Sequence, residues 1–438
     1  MTPTYTGVHV RRDANGAIRI TTDRGSGPGG PAPDRPGDAA DPGFGLAVLD
    51  AAGAVLTWPV LDGSGLPSAE VHDTRRAQQW LWALYGESVA AAVQDLASGE
   101  QGGVRVTADV TALGGGAARL AFGHWAARWW PASYTDGIPA LDPGVLGLEL
   151  AALTHRCHQL FDDRSDQPDD CAAELIQEHL AALDPLIQWW RAPSPHRDAG
   201  RRLGDVLRLI DDAADSTGLD GPELRRLRSA LDRPGPADAT ADPTALFARP
   251  DGYALAAGEQ PAAGGRVIAR GSGVNDWRRY PPGFVDAAED AVSWTARALG
   301  ARRRIEVEVL AHAAAPDGGA SLVAEVQVDA GRPDRIPLAR RDEVWEGRAG
   351  LDLPADSTEP TVEVGILLPG FDPGPGPEHP AGPDGATDRA RRDAIRALAR
   401  HRLAAADRPP AHDAARHHPF APEPLLAETA AAATDEDY

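Results

Sequence analysis

The amino-acid sequence predicts an α+β protein built from several domains. Apolar residues recur at a period near 3.6 over residues 143–235, which is typical of amphipathic helices. They recur at a period of two over residues 264–372, which is typical of half-buried strands. Residues 1–142 mix both patterns, and residues 373–438 begin with a Pro/Gly-rich run that has little to bury. We therefore expect a mixed α/β N-terminal module, a central helical bundle, an antiparallel β-sandwich and a disordered tail.

The N-terminal module, residues 1–142, is expected to combine strand pairs with one long helix. Asn15 and Gly16 separate two alternating apolar runs, which predicts a hairpin. Residues 23–43 are rich in Pro, Gly and Asp and are expected to form a flexible loop or linker. Residues 68–98 carry Ala, Leu and Trp at helical spacing with Ser68 as an N-cap, and a further strand is expected over residues 104–110.

The remaining chain is divided by its change of period. Short loops between the helical segments of residues 143–235 predict antiparallel helices, as in a small bundle. About six short strands separated by Gly, Pro and Asp predict the β-sandwich over residues 264–372. Within the tail, residues 387–406 are expected to form an arginine-rich helix with Ile395, Leu398 and Leu403 on one side.

Charge and amino-acid usage exclude several classes of function. A formal net charge of −22 argues against general affinity for nucleic acid or anionic lipid, because both are polyanions. All 43 basic residues are arginine. The absence of lysine excludes P-loop NTPases, protein kinases and Schiff-base enzymes, which require one. The abundance of Ala, Gly, Pro, Asp and Arg is typical of GC-rich, actinobacterial-type coding, and we expect a bacterial protein.

Cysteine content and hydropathy indicate the compartment. Cys157 and Cys171 are too few for a disulfide framework or a four-cysteine zinc site. No run approaches the roughly 18 apolar residues of a membrane span. The first residues also lack the apolar stretch of a secretory signal. We expect a cytoplasmic protein without a membrane association.

One motif has the composition of a metal site. On a helix, His155, His158 and Asp162 fall at i, i+3 and i+7 and share a face. Two imidazoles and a carboxylate can hold Zn²⁺ or Fe²⁺, which would give a metalloprotein or a metal-dependent hydrolase. The alternative is that these are solvated polar residues beside a leucine stripe. We expect no cofactor and keep Zn or Fe as the alternative.

Several aromatic and arginine residues are candidates for partner binding. In the run from Gly123 to Ser133, Trp125 and Trp129 share one face as helix or strand, whereas Trp130 turns aside toward another domain or a partner. A second group lies in the loop that leads into the sandwich, and a third lies in the tail. These groups are Trp277, Arg278, Arg279 and Tyr280 in the loop, and Ile395, Leu398, Leu403 and Phe420 in the tail. The alternative for the aromatics is structural packing.

The sequence as a whole favours a non-catalytic function. No assembled catalytic motif is present, a sandwich suits protein contacts, and the tail resembles a docking segment. We expect an adaptor or scaffold that binds other proteins through the sandwich and the tail within a bacterial multiprotein system. The alternatives are the metal-dependent hydrolase and recognition of peptide or carbohydrate by the sandwich, with Trp277 and Tyr280 as stacking residues. The oligomeric state is left open.

Overall fold

The computed structural model describes most of the chain. It covers residues 6–22, 43–61, 65–99, 102–109, 111–161, 170–192, 197–232, 265–300, 302–312, 315, 321–329, 331–351, 361–371, 384–407 and 423–433. In this part of the chain the fold is mixed α+β, with helices and three antiparallel sheets. The chain divides into two compact units. Unit 1 comprises residues 1–127, 141–247 and 401–438, and unit 2 comprises residues 128–140 and 248–400.

Unit 1 contains a six-stranded antiparallel sheet. Its strands are β1 (Thr6–Arg12), β2 (Ile18–Thr22), β3 (Leu46–Ala51), β4 (Ala54–Pro59), β5 (Ser68–Val71) and β6 (Gly103–Ala108), in the order β3-β4-β5-β2-β1-β6. Alternate residues of β1 and β2 are buried, so the hairpin presents one apolar face to the core. Val8, Val10, Ile18 and Ile20 form this face.

The region after β4 differs from the prediction of one helix over residues 68–98. Ser68 is not an N-cap, because β5 pairs with both β2 and β4 and its residues become strand. The first helix, α1 (Thr74–Tyr85), begins instead at Asp73, whose carboxylate accepts hydrogen bonds from the backbone N–H of Arg75 and Arg76. Gly86, with φ of 92°, separates α1 from α2 (Glu87–Ala97).

The helices that follow are centred on one that is buried on every side. They are α3 (Ala112–Trp129), α4 (Pro143–Arg156), α5 (Asp170–His179), α6 (Leu183–Arg191), α7 (Arg197–Thr217) and α8 (Pro222–Asp232). Every residue of α4 from Val145 to Thr154 is buried. Asp142 caps α4 by accepting from the N–H of Val145 at 2.9 Å. Gly147 lets α5 approach, since any side chain there would collide with His179. Helices α4 to α8 belong to the same unit as the sheet, so residues 1–142 and 143–235 are not separate units.

Unit 2 contains the other two sheets. The strands are β7 (Arg266–Ser272), β8 (Val292–Leu299), β9 (Arg302–Leu310), β10 (Val323–Val328), β11 (Asp334–Pro337), β12 (Ala339–Arg341), β13 (Val344–Gly350) and β14 (Val362–Leu367). They form the orders β12-β13-β9-β8-β7 and β11-β10-β14. Residues 128–140 join this unit: Ala287 N–H donates to the Ala132 carbonyl at 3.1 Å, and Tyr134 N–H donates to the Asp286 carboxylate at 2.8 Å.

The C-terminal region is more ordered than the sequence predicts. The arginine-rich helix, α9, spans Asp384–Asp407, and a further helix, α10, spans Leu426–Ala433. The expectation of a disordered tail is therefore wrong for residues 423–433. Leu425 and Leu426 are fully buried, and the alanines of α10 let it pack closely on α4 and α7. Local composition cannot reveal this, because the apolar partners lie hundreds of residues earlier.

Among the helices of the described residues, none combines the length and the apolar character needed to span a membrane.

Candidate functional site

The most elaborate polar arrangement in unit 1 surrounds the last described residues. We call residues 423–433 the C-terminal segment, and we call the surfaces of α3, α4, α7 and the last turns of α9 that contact it the groove. The groove contributes four charged side chains, and the segment contributes Glu428. The four are Arg119 of α3, Glu149 of α4, Arg202 of α7 and Arg402 of α9.

Glu149 is the centre of this arrangement. It is fully buried in an otherwise apolar stretch of α4. One carboxylate oxygen pairs with Arg119, and the other accepts the backbone N–H of Leu426 at 2.7 Å. Leu426 is the first residue of α10, so a carboxylate from α4 satisfies an N–H that the helix itself leaves unpaired. A negative charge at this end also interacts favourably with the helix dipole.

Glu428 forms the second half of the attachment. Arg402 donates to both of its oxygens, with Nη2 at 2.7 Å from Oε2. Glu428 also accepts the N–H of Leu425 at 2.6 Å, so a glutamate three residues into the helix reaches back to the N-cap residue. The guanidinium of Arg402 lies 4.1 Å from the ring centroid of Phe122, which adds a cation–π contact.

The backbone before α10 is held by arginines. Arg119 and Arg202 both donate to the Pro424 carbonyl, and Arg202 also donates to the Thr429 hydroxyl at 3.4 Å. Arg119 additionally pairs with Glu423 at 3.4 Å at the edge of the groove. These contacts depend on the direction and register of the segment as well as on its charge. A shift of the segment by one residue would break several of these hydrogen bonds.

Burial dominates the electrostatics of the groove. Desolvation raises the pKa of Glu149, although the charge of Arg119 and the Leu426 N–H partly offset this. Desolvation and the nearby charge of Arg119 lower the pKa of Arg202. A buried ion pair contributes little net stability against an apolar replacement, yet losing one partner is costly. The groove is therefore suited to selecting one acidic helical segment.

The predicted metal residues are not brought together as a complete site. His155 is half-buried, His158 is exposed, and their ring centroids are 6.3 Å apart. His158 lies in a 3-10 turn after α4, and Asp162 lies outside the described residues. Within the described part of the chain, no three His, Cys, Asp or Glu residues form a group that could hold a metal ion. Burial raises the pKa of the Cys157 thiol to about 12, so this thiol is a poor metal ligand.

The aromatic residues of the loop before β8 are packed inside unit 2. Trp277 is 5% exposed and Tyr280 is 4% exposed, so neither ring offers a face for stacking on a ligand. The Tyr280 hydroxyl donates to the side chain of Asn275, which is itself buried. The recognition of sugar or peptide by these two rings is therefore wrong for this structure, because the loop uses them as its core.

The arginines of the same loop are ion-paired. Arg278 bonds Asp276 at 2.8 Å and Asp388 of α9 at 2.9 Å, and Arg279 pairs with Glu325. These contacts hold the loop and the first part of α9, up to Arg400, within unit 2.

The other predicted partner residues also lie mainly inside the fold. Trp130 is half-buried and its indole N–H donates to the Pro139 carbonyl at 2.9 Å. Ile395 and Leu403 are buried and Leu398 is half-buried. Phe420 lies outside the described residues. That these positions contact a partner remains a prediction.

The related prediction for Trp125 and Trp129 holds for one residue. Trp125 is 4% exposed, and its indole N–H donates to the Phe44 carbonyl at 2.7 Å. Trp129 is half-buried, with the guanidinium of Arg128 3.8 Å from its ring centroid.

A surface depression of about 360 Å³ lies beside the start of α1. It is lined by Ala52, Asp73, Arg75, Arg76, Gln79, Gln159 and Phe161. Asp73 already caps the helix through the N–H groups of Arg75 and Arg76. The arginine side chains are exposed, so the depression lacks the enclosed polar groups of the groove.

Known proteins provide no relative from which a function could be inferred for this chain. The chain matches no protein-family model, no curated protein and no solved structure.

Sequence reasoning missed Arg119, Glu149, Arg202, Arg402 and Glu428. One signal was available for Glu149, which interrupts an otherwise apolar run, "GVLGLELAAL". A lone carboxylate on a helix that is apolar all round predicts a buried partner, because an unpaired buried charge is too costly. Nothing in the sequence indicates which arginine provides that partner.

Proposed function

We propose that this protein is a non-catalytic adaptor whose groove binds a short helical segment with two leucines followed by a glutamate. The observation that carries the proposal is the recognition of residues 423–433 by charged side chains from four helices that are distant in sequence. Helix-in-groove binding is a common mode of peptide recognition, and the leucines and Glu428 serve as its anchors.

In this proposal the two units have different roles. Helices α4 to α8 act as a helical bundle that presents the groove, and the two sheets of unit 2 act as a β-sandwich available for further protein contacts. The protein works in the bacterial cytoplasm as part of a multiprotein system. The high negative charge supports a preference for protein partners over nucleic acid.

The experiment uses the full chain with a protease recognition sequence inserted between residues 408 and 422. After cleavage we expect the C-terminal segment to stay bound through gel filtration and to exchange with a fluorescent peptide of residues 421–433. Arg402→Ala removes the guanidinium that pairs with buried Glu428. Its loss costs about 3–5 kcal/mol, so we expect at least a hundredfold weaker retention.

Arg391→Ala is the matched control, because Arg391 is exposed on the same helix. It should retain the segment as the unmodified chain does. Circular dichroism checks that each variant is folded before cleavage. Immediate loss of the cleaved segment from the unmodified chain, or equal retention by the Arg402→Ala variant, would contradict a peptide-binding groove.

A further inference from the structure

We propose that the C-terminal segment exchanges between two copies of this chain, so that the segment of each copy fills the groove of the other. This inference rests on the proposed function, since it requires the groove to be a peptide-binding site. It names the partner of that site as a second copy and makes the protein a self-assembling adaptor.

The chain between α9 and the segment is long enough for exchange. Residues 408–422 join the two, and 15 residues can extend to about 50 Å. The two ends of this connection are close in unit 1, because Arg402, near the end of α9, donates to the Glu423 carbonyl at 3.4 Å. The connection is thus much longer than attachment within one copy requires. It is long enough to place the segment in a neighbouring copy.

The chemistry of the groove matches the segment of a second copy. Glu428 is complemented by Arg402, and the backbone of Pro424 is complemented by Arg119 and Arg202. All these contacts join the groove to the segment, so a second copy can reproduce each of them without any new interaction. An unrelated partner would need two apolar residues and a carboxylate at the same spacing. The second copy is the partner whose sequence is known to meet this requirement.

The local concentration of the protein decides whether a segment fills its own groove or that of another copy. A connection of 15 residues gives its own segment an effective concentration of roughly millimolar order. At micromolar protein each groove is therefore filled by its own segment. Exchange dominates when copies are crowded on a scaffold, or when pairing within one copy is broken. Because Leu425, Leu426 and Glu428 are fully buried, the segment must leave before it can exchange, and we expect the exchange to be slow.

The experiment mixes two full-length variants that cannot pair within one copy. Arg402→Glu damages the groove and leaves a native segment, whereas Glu428→Arg damages the segment and leaves a native groove. Each variant alone should elute as a monomer of 46.0 kDa. The mixture should yield a species of twice that mass by light scattering, because the native segment of one copy fills the native groove of the other.

The control replaces Arg402→Glu by Arg391→Glu, an exposed charge reversal on the same helix. The mixture of Arg391→Glu and Glu428→Arg should contain no more dimer than either variant alone. The groove and the segment of the Arg391→Glu variant are both intact and fill each other within one copy. The proposal is overturned if Arg402→Glu and Glu428→Arg are both folded and their mixture stays monomeric.

If either charge-reversed variant is unfolded by circular dichroism, unmodified chains carry the test. Two populations with different affinity tags are mixed at about millimolar concentration and incubated, and recovery of both tags on one resin supports exchange. Recovery of a single tag overturns it. Retention of the cleaved segment without mixed dimers leaves the adaptor proposal standing, whereas loss of the cleaved segment overturns both proposals.

Discussion

Glu149 illustrates how a single residue can define a surface. It is a fully buried carboxylate on a helix whose other central residues are almost all apolar, so it must be paired. Its two partners, Arg119 and the N–H of Leu426, come from parts of the chain that are far apart in sequence. The residue therefore fixes the position of the segment, while the leucines beside it supply the apolar burial, about 1.5–3 kcal/mol for each fully buried side chain.

Replacing Glu149 should distinguish its charge from its hydrogen bonding. Glu149→Ala leaves Arg119, whose side chain is 12% exposed, with only the exposed carboxylate of Glu423, and leaves the Leu426 N–H without an acceptor. We expect a loss of about 3–5 kcal/mol in the free energy of unfolding. Glu149→Gln keeps an oxygen for the N–H and should cost clearly less, as measured by urea denaturation. Equal losses in the two variants would contradict this role.

The contribution of Glu149 to the free energy of unfolding should depend on pH with a definite sign. Burial raises the pKa of Glu149 above its ordinary value of 4.5, so the folded chain binds the carboxyl proton more tightly than the unfolded chain. This contribution is fully present below pH 4.5 and is lost as the pH rises through the raised pKa. The Glu149→Gln variant should lack this loss when the free energies of unfolding are compared across that range.

At the scale of elements, residues 384–400 of α9 are held inside unit 2 by a network around Glu289. Arg392 is almost fully buried and donates to both Glu289 oxygens, at 2.7 and 3.0 Å, whereas Arg389 is largely exposed and donates to one at 3.0 Å. The arginine-rich character of this helix is visible in the sequence, but its acidic partners are not. The arginine-rich sequence of α9 therefore resembles that of an exposed docking helix, although Arg392 and Arg396 in the middle of the helix are buried.

The two arginines that share Glu289 should differ greatly in their effect. Arg392→Ala removes the buried bidentate partner and leaves Glu289 with Arg389 and Arg396. We expect a loss of about 1.5–3 kcal/mol, the range for a hydrogen bond to a charged group. Arg389→Ala removes a solvent-screened pair and should cost less than about 1 kcal/mol. Urea denaturation of both variants checks this, and similar losses would show that burial does not govern the network.

Acid should weaken the same attachment. Burial raises the pKa of Glu289, but hydrogen bonds and charge from Arg392, with Arg389 and Arg396, outweigh burial and hold the pKa below 4.5. The stability that this pair contributes is present above pH 4.5 and is lost as the pH falls through the lowered pKa. The protection factors of α9 amides, which correct hydrogen exchange for its intrinsic dependence on pH, should therefore fall in that acidic range.

The predictability of each element depends on how local its cause is. The strands β8 to β10 and the Asn15–Gly16 hairpin follow from alternation and turn chemistry, and both are present. Strand β5 was missed because its identity comes from pairing with β2 and β4, which overrides its local pattern. Helix α10 was missed because a short alanine-rich run is stabilised only by burial against α4 and α7.

At the scale of the whole molecule, neither unit is a continuous stretch of chain. Unit 2 requires residues 128–140 as well as residues 248–400, and unit 1 is completed by residues 401–438. Periodicity predicts consecutive segments, since it carries no information about which distant segments share a core. The four consecutive segments expected from the sequence consequently differ from the two units of the structure.

The expected sandwich fragment, residues 264–372, should therefore not fold as the full chain does. It lacks Tyr134, whose N–H is bonded to Asp286, and Arg396, which donates to the Ala287 carbonyl at 3.0 Å. Both of these acceptors belong to the largely buried stretch from Val285 to Ala288. We expect a broad thermal transition by near-ultraviolet circular dichroism. A sharp cooperative transition like that of the full chain would show that the fragment is autonomous.

The position of α10 after α4 and α7 in the chain also sets an order of events during synthesis. Helices α4 and α7 leave the ribosome roughly 200 residues before Leu426, which at 5–20 residues per second is about 10–40 s. Throughout that interval Arg119, Glu149 and Arg202 have no segment to bind, and Arg402 is itself made only shortly before the segment. Under the proposed exchange, a newly made chain is then open to capture by a chaperone or by the C-terminal segment of a chain from a neighbouring ribosome on the same messenger.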